Sequence, residues 1–439
     1  MTSHEYKPIN AFKINLNIFT AEGIWPAGLK NKNLRYPYAV YRLLSPSIWF
    51  GLFFIFQLIQ VIIVINDMAK LMDSMYLMVT YFAILSKFMC FILYRKRIEK
   101  LFNTLDESIF IPRQKKHFDY INEAMRIIRR DTIFFLSSGI SATIFWTFYP
   151  LFDKHQEEKQ LAYVMWCPID VSTSPIFELV YTYQVIAITY NTMFNTMADT
   201  TICGLFRMMS GHLEILAQDY SELFDDNFIS PGDIVDKKNN INKGLSNYNT
   251  EKLSKYKNDN EDIDEDKYLI VKKPNVTHEK LSYRVAACVE YAQAIEKFVN
   301  EVNDVFQGGI LTQFIASCLI ICATAFALTM VPVASVQFVS LLQYQGCMII
   351  QIFIYCWRGN ELTLKFSELS NAIFKCNWQL CNGHFRRSMD IIMSRSQKPM
   401  ILVVAGLFSL SVDTFIGIIK SAYSFFMFLK EVQTAAAED

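Results

Sequence analysis

An apolar stretch near the end of the chain, residues 399–430, keeps polar groups at helical spacing, and it constrains the fold more than any other feature. Asp413, Lys420, Ser424 and Glu431 follow steps of seven, four and seven, so they share one face of a helix. A charge that faces lipid at mid-membrane costs about 2.5–3.5 kcal/mol, so these groups are expected to face protein or water. The pattern predicts a pore-lining helix. Ion pairing of Asp413 with Lys420 or with a neighbouring helix is the alternative that spacing leaves open.

The composition is that of a polytopic membrane protein. Of 439 residues 52% are hydrophobic, with 36 Phe and 22 Tyr, which is too apolar and aromatic for an ordinary soluble domain. The formal net charge is zero, so nothing favours a nucleic-acid partner. Seven apolar runs are long enough to cross about 30 Å of hydrocarbon: Ser47–Ile65, Ser74–Tyr94, Thr132–Phe152, Ile176–Cys203, Val305–Met330, Val336–Trp357 and Met400–Leu429. We therefore predict an all-α membrane protein with seven transmembrane helices.

The placement of Lys and Arg predicts the orientation of these helices. Residues 1–42 carry six basic side chains, residues 95–130 carry ten, and residues 358–398 carry seven, whereas the alternate connections are poor in them. Basic loops stay in the cytoplasm. The N-terminus is therefore expected to be cytoplasmic and the C-terminus extracellular, which is opposite to a G-protein-coupled receptor.

The long cytoplasmic loop, residues 204–304, contains two different segments. Residues 221–275 are crowded with Asn, Lys, Asp, Glu and Ser, and such a segment cannot bury enough apolar surface to order itself. It is predicted to be a disordered insertion. The apolar residues that follow recur at steps of three and four and predict an amphipathic helix that leads into the fifth span: Leu281, Val285, Cys288, Val289, Ala292, Ile295, Val299 and Val302.

A series of motifs closes the chain. The sixth span ends in Tyr-Cys-Trp-Arg-Gly-Asn-Glu-Leu at residues 355–362, and Met-Ser-Arg-Ser-Gln-Lys-Pro follows at residues 393–399. Residues 405–411 read Ala-Gly-Leu-Phe-Ser-Leu-Ser. In order and spacing these motifs resemble the C-terminal signature of insect odorant receptors. One departure is Cys-Asn-Trp-Gln at residues 376–379, where that family usually has Ser-x-Trp-Tyr.

The resemblance implies an odorant-gated, non-selective cation channel that is a heterotetramer with a shared coreceptor. Because residues 278–296 lack the coreceptor's aromatic, basic segment, the chain resembles a ligand-binding tuning subunit, located in the plasma membrane of olfactory sensory neurons. Its last helix would line the pore, with Phe428 as hydrophobic gate and Glu431 in an outer polar ring. Pro399 would open that helix. Small residues such as Ala405 and Gly406 would permit close helix contact.

On this interpretation the chain has seven parts. They are the cytoplasmic segment 1–43, helices 1–4 with the ligand pocket at 44–203, the loop 204–304 with its insertion and amphipathic helix, helices 5–6 at 305–358, a cytoplasmic anchor of helices at 359–399, the pore-lining helix 7 at 400–430, and the extracellular tail 431–439.

The resemblance also places a ligand pocket in the outer half of the bundle, among the second, third, fourth and sixth spans. A pocket for small volatile molecules is expected to be apolar and aromatic, with few hydroxyls. Aromatic stripes in membrane helices also serve as packing or interface residues, so part of any such set faces elsewhere. Trp146 matches a pocket position of the family. The candidate ligand-binding residues are Met78, Tyr81, Phe82, Ala142, Trp146, Tyr149, Tyr181, Gln184 and Tyr344.

The sequence favours no other chemistry. It has no Ser-His-Asp set in a supporting context and no Gly-rich phosphate loop, so we expect no enzyme activity, no cofactor and no metal. The alternative functions are a G-protein-coupled-like chemosensory receptor and a secondary transporter. The first needs the opposite orientation and its own motifs at the third and seventh spans. The second needs repeat-related spans with helices broken at mid-membrane.

Overall fold

The computed structural model describes residues 7–26, 32–66, 68–152, 161–169, 171, 173–225, 228, 230–231, 278–332, 335–398 and 400–438. Long helices form most of this structure, because the apolar runs are uninterrupted and long enough for helices stabilised by packing. In chain order the α-helices are α1 (Lys13–Ala21), α2 (Lys32–Pro46), α3 (Phe53–Ile63), α4 (Met68–Leu93), α5 (Arg95–Thr104), α6 (Lys115–Phe152), α7 (Ile176–Ser221), α8 (His278–Met330), α9 (Val336–Lys375), α10 (Gly383–Ser396) and α11 (Val412–Glu438).

Shorter elements join these helices. A π-helical stretch, Ser47–Leu52, links α2 to α3. Three 3-10 helices cover Pro8–Phe12, Ser108–Phe110 and Trp378–Leu380. Among the described residues four helical segments are long and apolar enough to cross a membrane: Tyr36–Ile63, Ser74–Leu93, Glu279–Thr329 and Val336–Lys375. The remaining predicted spans lie on α6, α7 and α11.

Several helices run far beyond the predicted spans. Helix α8 has 53 residues and is therefore about 80 Å long, against about 30 Å of hydrocarbon. The residues of the predicted amphipathic helix form its first half, where Leu281, Cys288 and Ile295 are buried. Helices α7 and α9 are similarly extended, with 46 and 40 residues. The same helices thus build both the membrane bundle and a layer of helices that extends beyond it.

The N-terminal segment packs inside the bundle rather than flanking it. Phe12 and Phe19 are fully buried, and the Phe19 ring lies 4.9 Å from the ring of Phe91 on α4. The Asn15 amide donates to the Thr200 hydroxyl on α7 at 2.8 Å. Two consecutive short helices, Pro8–Phe12 and α1, thus carry apolar side chains of the basic N-terminal segment into the core of the bundle.

The prediction that residues 400–430 form a single helix is wrong at its start. Helix α11 begins only at Val412, and Val403–Val404 pairs antiparallel with Phe408–Ser409 before it. Ala405 and Gly406 form the turn of this hairpin with φ of 49° and 70°. A positive φ is incompatible with a right-handed helix, so these small residues serve the turn and not a helix contact. Pro399, predicted to open the helix, lies outside the described residues.

This hairpin is seated between α8 and α9. A Cβ added at Gly359 would lie 2.3 Å from the Cβ of Leu410, so only glycine allows this contact. The Phe314 ring of α8 stacks on Phe408 at 4.9 Å. The Asn303 amide donates to the Val403 carbonyl at 3.0 Å. The N-terminal end of α11 is thereby fixed to both neighbouring helices.

Candidate functional site

A cavity of about 130 Å³ lies among α4, α6, α7 and α9, beneath the segment 161–169. Its size is comparable to an engineered apolar cavity of about 150 Å³ that binds benzene in another protein. A single-ring organic molecule therefore fits its volume. The lining includes Tyr76, Leu77, Thr80, Tyr81, Ile84, Phe134, Phe135, Ser138, Gly139, Ala142, Thr143, Trp146, Tyr163, Ile188, Asn191, Thr192, Asn195, Thr196, Asp199, Tyr344, Cys347, Met348, Ile350 and Gln351.

Aromatic rings form the outer wall of the cavity. The Trp146 ring is stacked on Tyr163, with centroids 5.9 Å apart and an interplanar angle of 12°. It also contacts Tyr76 at 5.8 Å and Tyr344 edge-on at 6.2 Å. The hydroxyls of Tyr344 and Thr80 lie 2.6 Å apart and share a hydrogen bond. This wall presents aromatic faces and edges with its Tyr344 hydroxyl already paired, which suits apolar ligands.

Gln184 holds the connecting segment 161–169, which covers this wall, in place. Its Oε1 accepts a hydrogen bond from the Tyr163 N–H at 3.2 Å, and its Nε2 donates to the Tyr163 carbonyl at 2.9 Å. The side chain of Gln184 is fully buried. Burial raises the pKa of the Tyr163 hydroxyl far above its usual range, so the ring stays neutral. The Gln184 side-chain amide thus forms both backbone hydrogen bonds of Tyr163, as a neighbouring strand would, and holds the connecting segment 161–169 in place.

A buried ion pair, Lys87 with Asp199, lies at the end of the cavity opposite the segment 161–169. Lys87 and Asp199 form a salt bridge, and each is only 1% exposed. Lys87 Nζ also donates to Asn195 Oδ1 at 2.7 Å. Asp199 accepts from the Tyr355 hydroxyl at 2.6 Å and from the Gln351 amide. Because each charge has an opposite partner, this end carries no net charge toward the cavity.

The structure brings four of the predicted pocket residues to the cavity: Tyr81, Ala142, Trp146 and Tyr344. Met78 and Phe82 lie on the same helix as Tyr81 but do not line it. Met78 is buried in other packing, whereas Phe82 is 51% exposed on the outer surface of the bundle. Tyr76, Thr80 and Ile84 mark the side of this helix that faces the cavity, and a residue two positions beyond one of them is turned about 200° away from that side.

Three further predicted residues have other places. Tyr181 donates its hydroxyl to the Thr147 carbonyl and does not line the cavity. Gln184 acts through Tyr163 as described above. Tyr149 lies on α6, and its side chain is outside the part of the chain that the structure describes.

The sequence did not predict the polar residues that line the cavity or the connecting segment that covers it. Ser138 precedes the predicted residues Ala142 and Trp146 by steps of four, so helical spacing could have found it. Tyr76 and Thr80 are related by such steps to Ile84, which was not predicted. Tyr163 gives no such signal, because it lies in a connecting segment without periodicity.

The predicted pore-lining residues all lie on α11. Asp413, Lys420, Ser424, Phe428 and Glu431 are exposed on the single chain, and Phe428 is 59% exposed. Among the described residues neither Asp413 nor Lys420 is buried against a partner. Apolar side chains such as Phe428 that are exposed on this helix remain available for lipid or for further subunits.

The family model for the 7tm Odorant receptor matches residues 67–423. Odorant receptor Or1 of Anopheles gambiae is 24% identical over 439 residues, covering 98% of this chain and 97% of that protein. Odorant receptor 94a of Drosophila melanogaster is 34% identical over 125 residues, covering 28% of this chain and 32% of that relative.

The solved structure of the insect olfactory receptor OR5 from Machilis hrabei in complex with eugenol superposes with a TM-score of 0.76. It is 17% identical, and the match covers 97% of this chain and 100% of that chain. The predicted fold, an all-helical bundle with seven transmembrane helices, is thereby confirmed. The relatives are receptors and not enzymes, as expected. This chain belongs to the insect odorant receptor family, as a multi-pass membrane protein.

Proposed function

We propose that this chain is the ligand-binding subunit of an odorant-gated, non-selective cation channel, assembled with a coreceptor as a heterotetramer in the plasma membrane of olfactory sensory neurons. The observation that best supports this proposal is the aromatic cavity beneath the segment 161–169. Its volume and its rings suit a small volatile molecule. A relative with the same fold was solved in complex with eugenol.

The proposed pore is formed by the last helix. Asp413, Lys420 and Ser424 are exposed along one face of α11, and Phe428 and Glu431 continue that face outward. Charges at these depths avoid the cost of facing lipid only if they face water or protein. A central pore among four subunits supplies that environment. Phe428 then has the bulk and apolarity that closure by dewetting requires.

The proposal includes an orientation that the basic residues support, with the N-terminus in the cytoplasm and the C-terminus outside. An epitope placed after Asp439 is expected to be accessible on intact cells. An epitope within residues 240–260 is expected to need permeabilisation. The reverse pattern contradicts the proposal.

The decisive experiment records currents from cells that express this chain with and without a coreceptor, across a broad panel of volatiles. We expect odorant-evoked cation currents only when both subunits are present. Trp146→Ala removes a large aromatic wall and is expected to weaken or reshape the response at unchanged surface expression. The matched control is Phe82→Ala, which removes an outward-facing ring from the same bundle. Equal effects of the two variants, or no current across the panel, contradict the proposed function.

A further inference from the structure

One side wall of the cavity lies where the antiparallel helices α6 and α9 meet. Three polar contacts join the two helices, in order along the bundle: Ser141 with Gln343 at 2.8 Å, Ser138 with Cys347 at 3.3 Å, and the ion pair of Asp131 with Arg358. Between the second and the third contact lie residues 132–137 of α6 and residues 348–357 of α9. All of these residues are described by the structure, and no hydrogen bond or ion pair joins one stretch to the other. Only apolar packing closes the wall there.

Two apolar side chains of these stretches line the cavity and also reach the outer surface of the bundle. Phe134 of α6 is 52% exposed, and Ile350 of α9 is 37% exposed. A cavity of about 130 Å³ has too little wall to expose half of one phenylalanine, because that wall is shared by all the lining residues. Most of the exposed surface of Phe134 therefore lies outside the cavity. These two side chains separate the cavity from the surroundings of the bundle.

The surroundings of this wall are apolar. Ile133 and Trp357, which belong to the same two stretches, are 56% and 47% exposed. Both stretches lie within the predicted third and sixth spans, so their outer surface is expected to face the hydrocarbon of the membrane. Transfer from water into hydrocarbon is favourable for apolar molecules. Volatile ligands therefore concentrate beside Phe134 and Ile350.

The two ends of the cavity are closed by polar contacts. At one end the segment 161–169 is held by the two hydrogen bonds between Gln184 and Tyr163, and the Tyr163 ring is stacked on Trp146. At the other end lies the buried ion pair of Lys87 with Asp199. Entry through either end breaks such contacts. Entry between Phe134 and Ile350 breaks none within their two stretches, and exposed side chains change rotamer within nanoseconds.

We propose that odorants enter and leave the cavity sideways, from the hydrocarbon of the membrane, between Phe134 on α6 and Ile350 on α9. This inference rests on the proposed function, because it assigns a route to the same cavity. A ring compound passes only if α6 and α9 move apart at this place. The contact of Ser138 with Cys347 lies four residues, about 6 Å, from Phe134 along α6. A covalent link at that contact is therefore expected to close the route.

The test uses the native Cys347. Ser138→Cys places a second thiol where the serine oxygen lies 3.3 Å from the Cys347 sulfur. Copper(II) phenanthroline oxidises the pair: both thiol protons leave, two electrons pass to copper(II), and an S–S bond of about 2.0 Å forms. Dithiothreitol reduces the bond again, and thiol alkylation measures the linked fraction. The matched controls are Ser138→Cys/Cys347→Ser, which has one thiol at this contact, and Ser137→Cys, whose new thiol is exposed on the same helix.

The measurement is the time course of the current in cells that express each variant with a coreceptor. The probe is benzaldehyde or, if the wild type does not respond to it, the single-ring volatile of the panel with the largest wild-type current. Oxidation before the probe is applied is expected to slow the onset of the current about tenfold. Oxidation while the probe is bound is expected to slow the decay after washout about tenfold, until dithiothreitol restores it. A link that only weakens binding speeds the decay instead.

Several results overturn the inference. They are unchanged onset and decay in linked channels, faster decay, equal slowing in either control, and failure of the two thiols to link, which contradicts the contact between α6 and α9. If Ser138→Cys does not reach the surface, Ile350→Trp decides: a larger side chain in the route slows onset and decay together, whereas a change in binding alone does not slow both. Failure of the proposed function is seen separately, as absence of wild-type current across the broad panel.

Discussion

The ion pair between Lys87 and Asp199 gives the sharpest prediction about stability. Both side chains are 1% exposed and lie within the bundle. Removing one partner of a buried pair leaves an uncompensated charge and typically costs about 3–5 kcal/mol. Lys87→Met leaves the Asp199 carboxylate with the Tyr355 hydroxyl and the Gln351 amide as donors, so we expect a loss near the lower limit, about 3 kcal/mol.

Asp199→Leu is expected to be worse than Lys87→Met. It leaves the Lys87 ammonium with Asn195 as its hydrogen-bond acceptor. It also removes the acceptor of two buried donors, the Tyr355 hydroxyl and the Gln351 amide, which costs about 1–3 kcal/mol for each. The double variant Lys87→Met/Asp199→Asn removes both charges and keeps an amide oxygen for the Tyr355 hydroxyl. It is expected to recover more than half of the loss caused by Lys87→Met alone.

The assay is the fraction of detergent-solubilised protein that remains monodisperse after heating, measured for each variant beside Lys96→Met. Lys96 is an exposed lysine on α5, so its replacement removes the same charge without burial. A midpoint for Lys87→Met equal to that of Lys96→Met refutes the reasoning. So does a double variant that is no more stable than Lys87→Met, because the cost would then come from lost packing and not from the stranded charge.

Three further predictions follow from other parts of the structure. Gln184→Leu removes both hydrogen bonds that hold Tyr163 and is expected to raise the odorant concentration for half-response several-fold, whereas the exposed Thr182→Ala leaves it unchanged. Burial and the nearby Arg113 lower the pKa of the His212 imidazole to about 3. The unfolded chain therefore binds a proton that the folded chain does not, and the free energy of unfolding decreases as the pH falls from about 6.5 towards 3. In a thermal denaturation series over that pH range, His212→Gln is expected to lose less stability than the wild type. An identical loss in both proteins counts against this. Glu431→Lys is expected to lower single-channel conductance at low ionic strength, while the odorant concentration for half-response stays the same. Unchanged conductance at low ionic strength would identify the polar face of α11 as a packing surface and not a pore lining.

The sequence predicted the helices well because long apolar runs leave the chain few alternatives in a membrane. It did not predict which face of a helix meets the cavity. Tyr81 lines the cavity and its neighbour Phe82 faces outward, although both are aromatic. When a helix is apolar on every side, periodicity carries no information about direction.

Two other features depended on contacts that no local pattern reveals. Tyr163 reaches the cavity through a connecting segment held by Gln184, which lies 21 positions further along the chain. The start of the last helix was placed too early because the residues of the hairpin, Val403 to Phe408, are as apolar as a span. The close contact of Leu410 with Gly359, which helps to hold this hairpin in place, joins residues 51 positions apart in the chain.

The hairpin before α11 determines how the last helix can move. The N-terminal end of α11 is held by the contacts of the hairpin with Phe314, Asn303 and Gly359, while the side chains toward the C-terminal end of α11 are largely exposed. A helix fixed at one end behaves as a lever, so any displacement grows with distance from the hairpin. Phe428 lies sixteen residues beyond Val412, about 24 Å along the axis. A tilt of about 10° at the base then moves Phe428 by about 4 Å, roughly the thickness of one aromatic ring, while Asp413 barely moves.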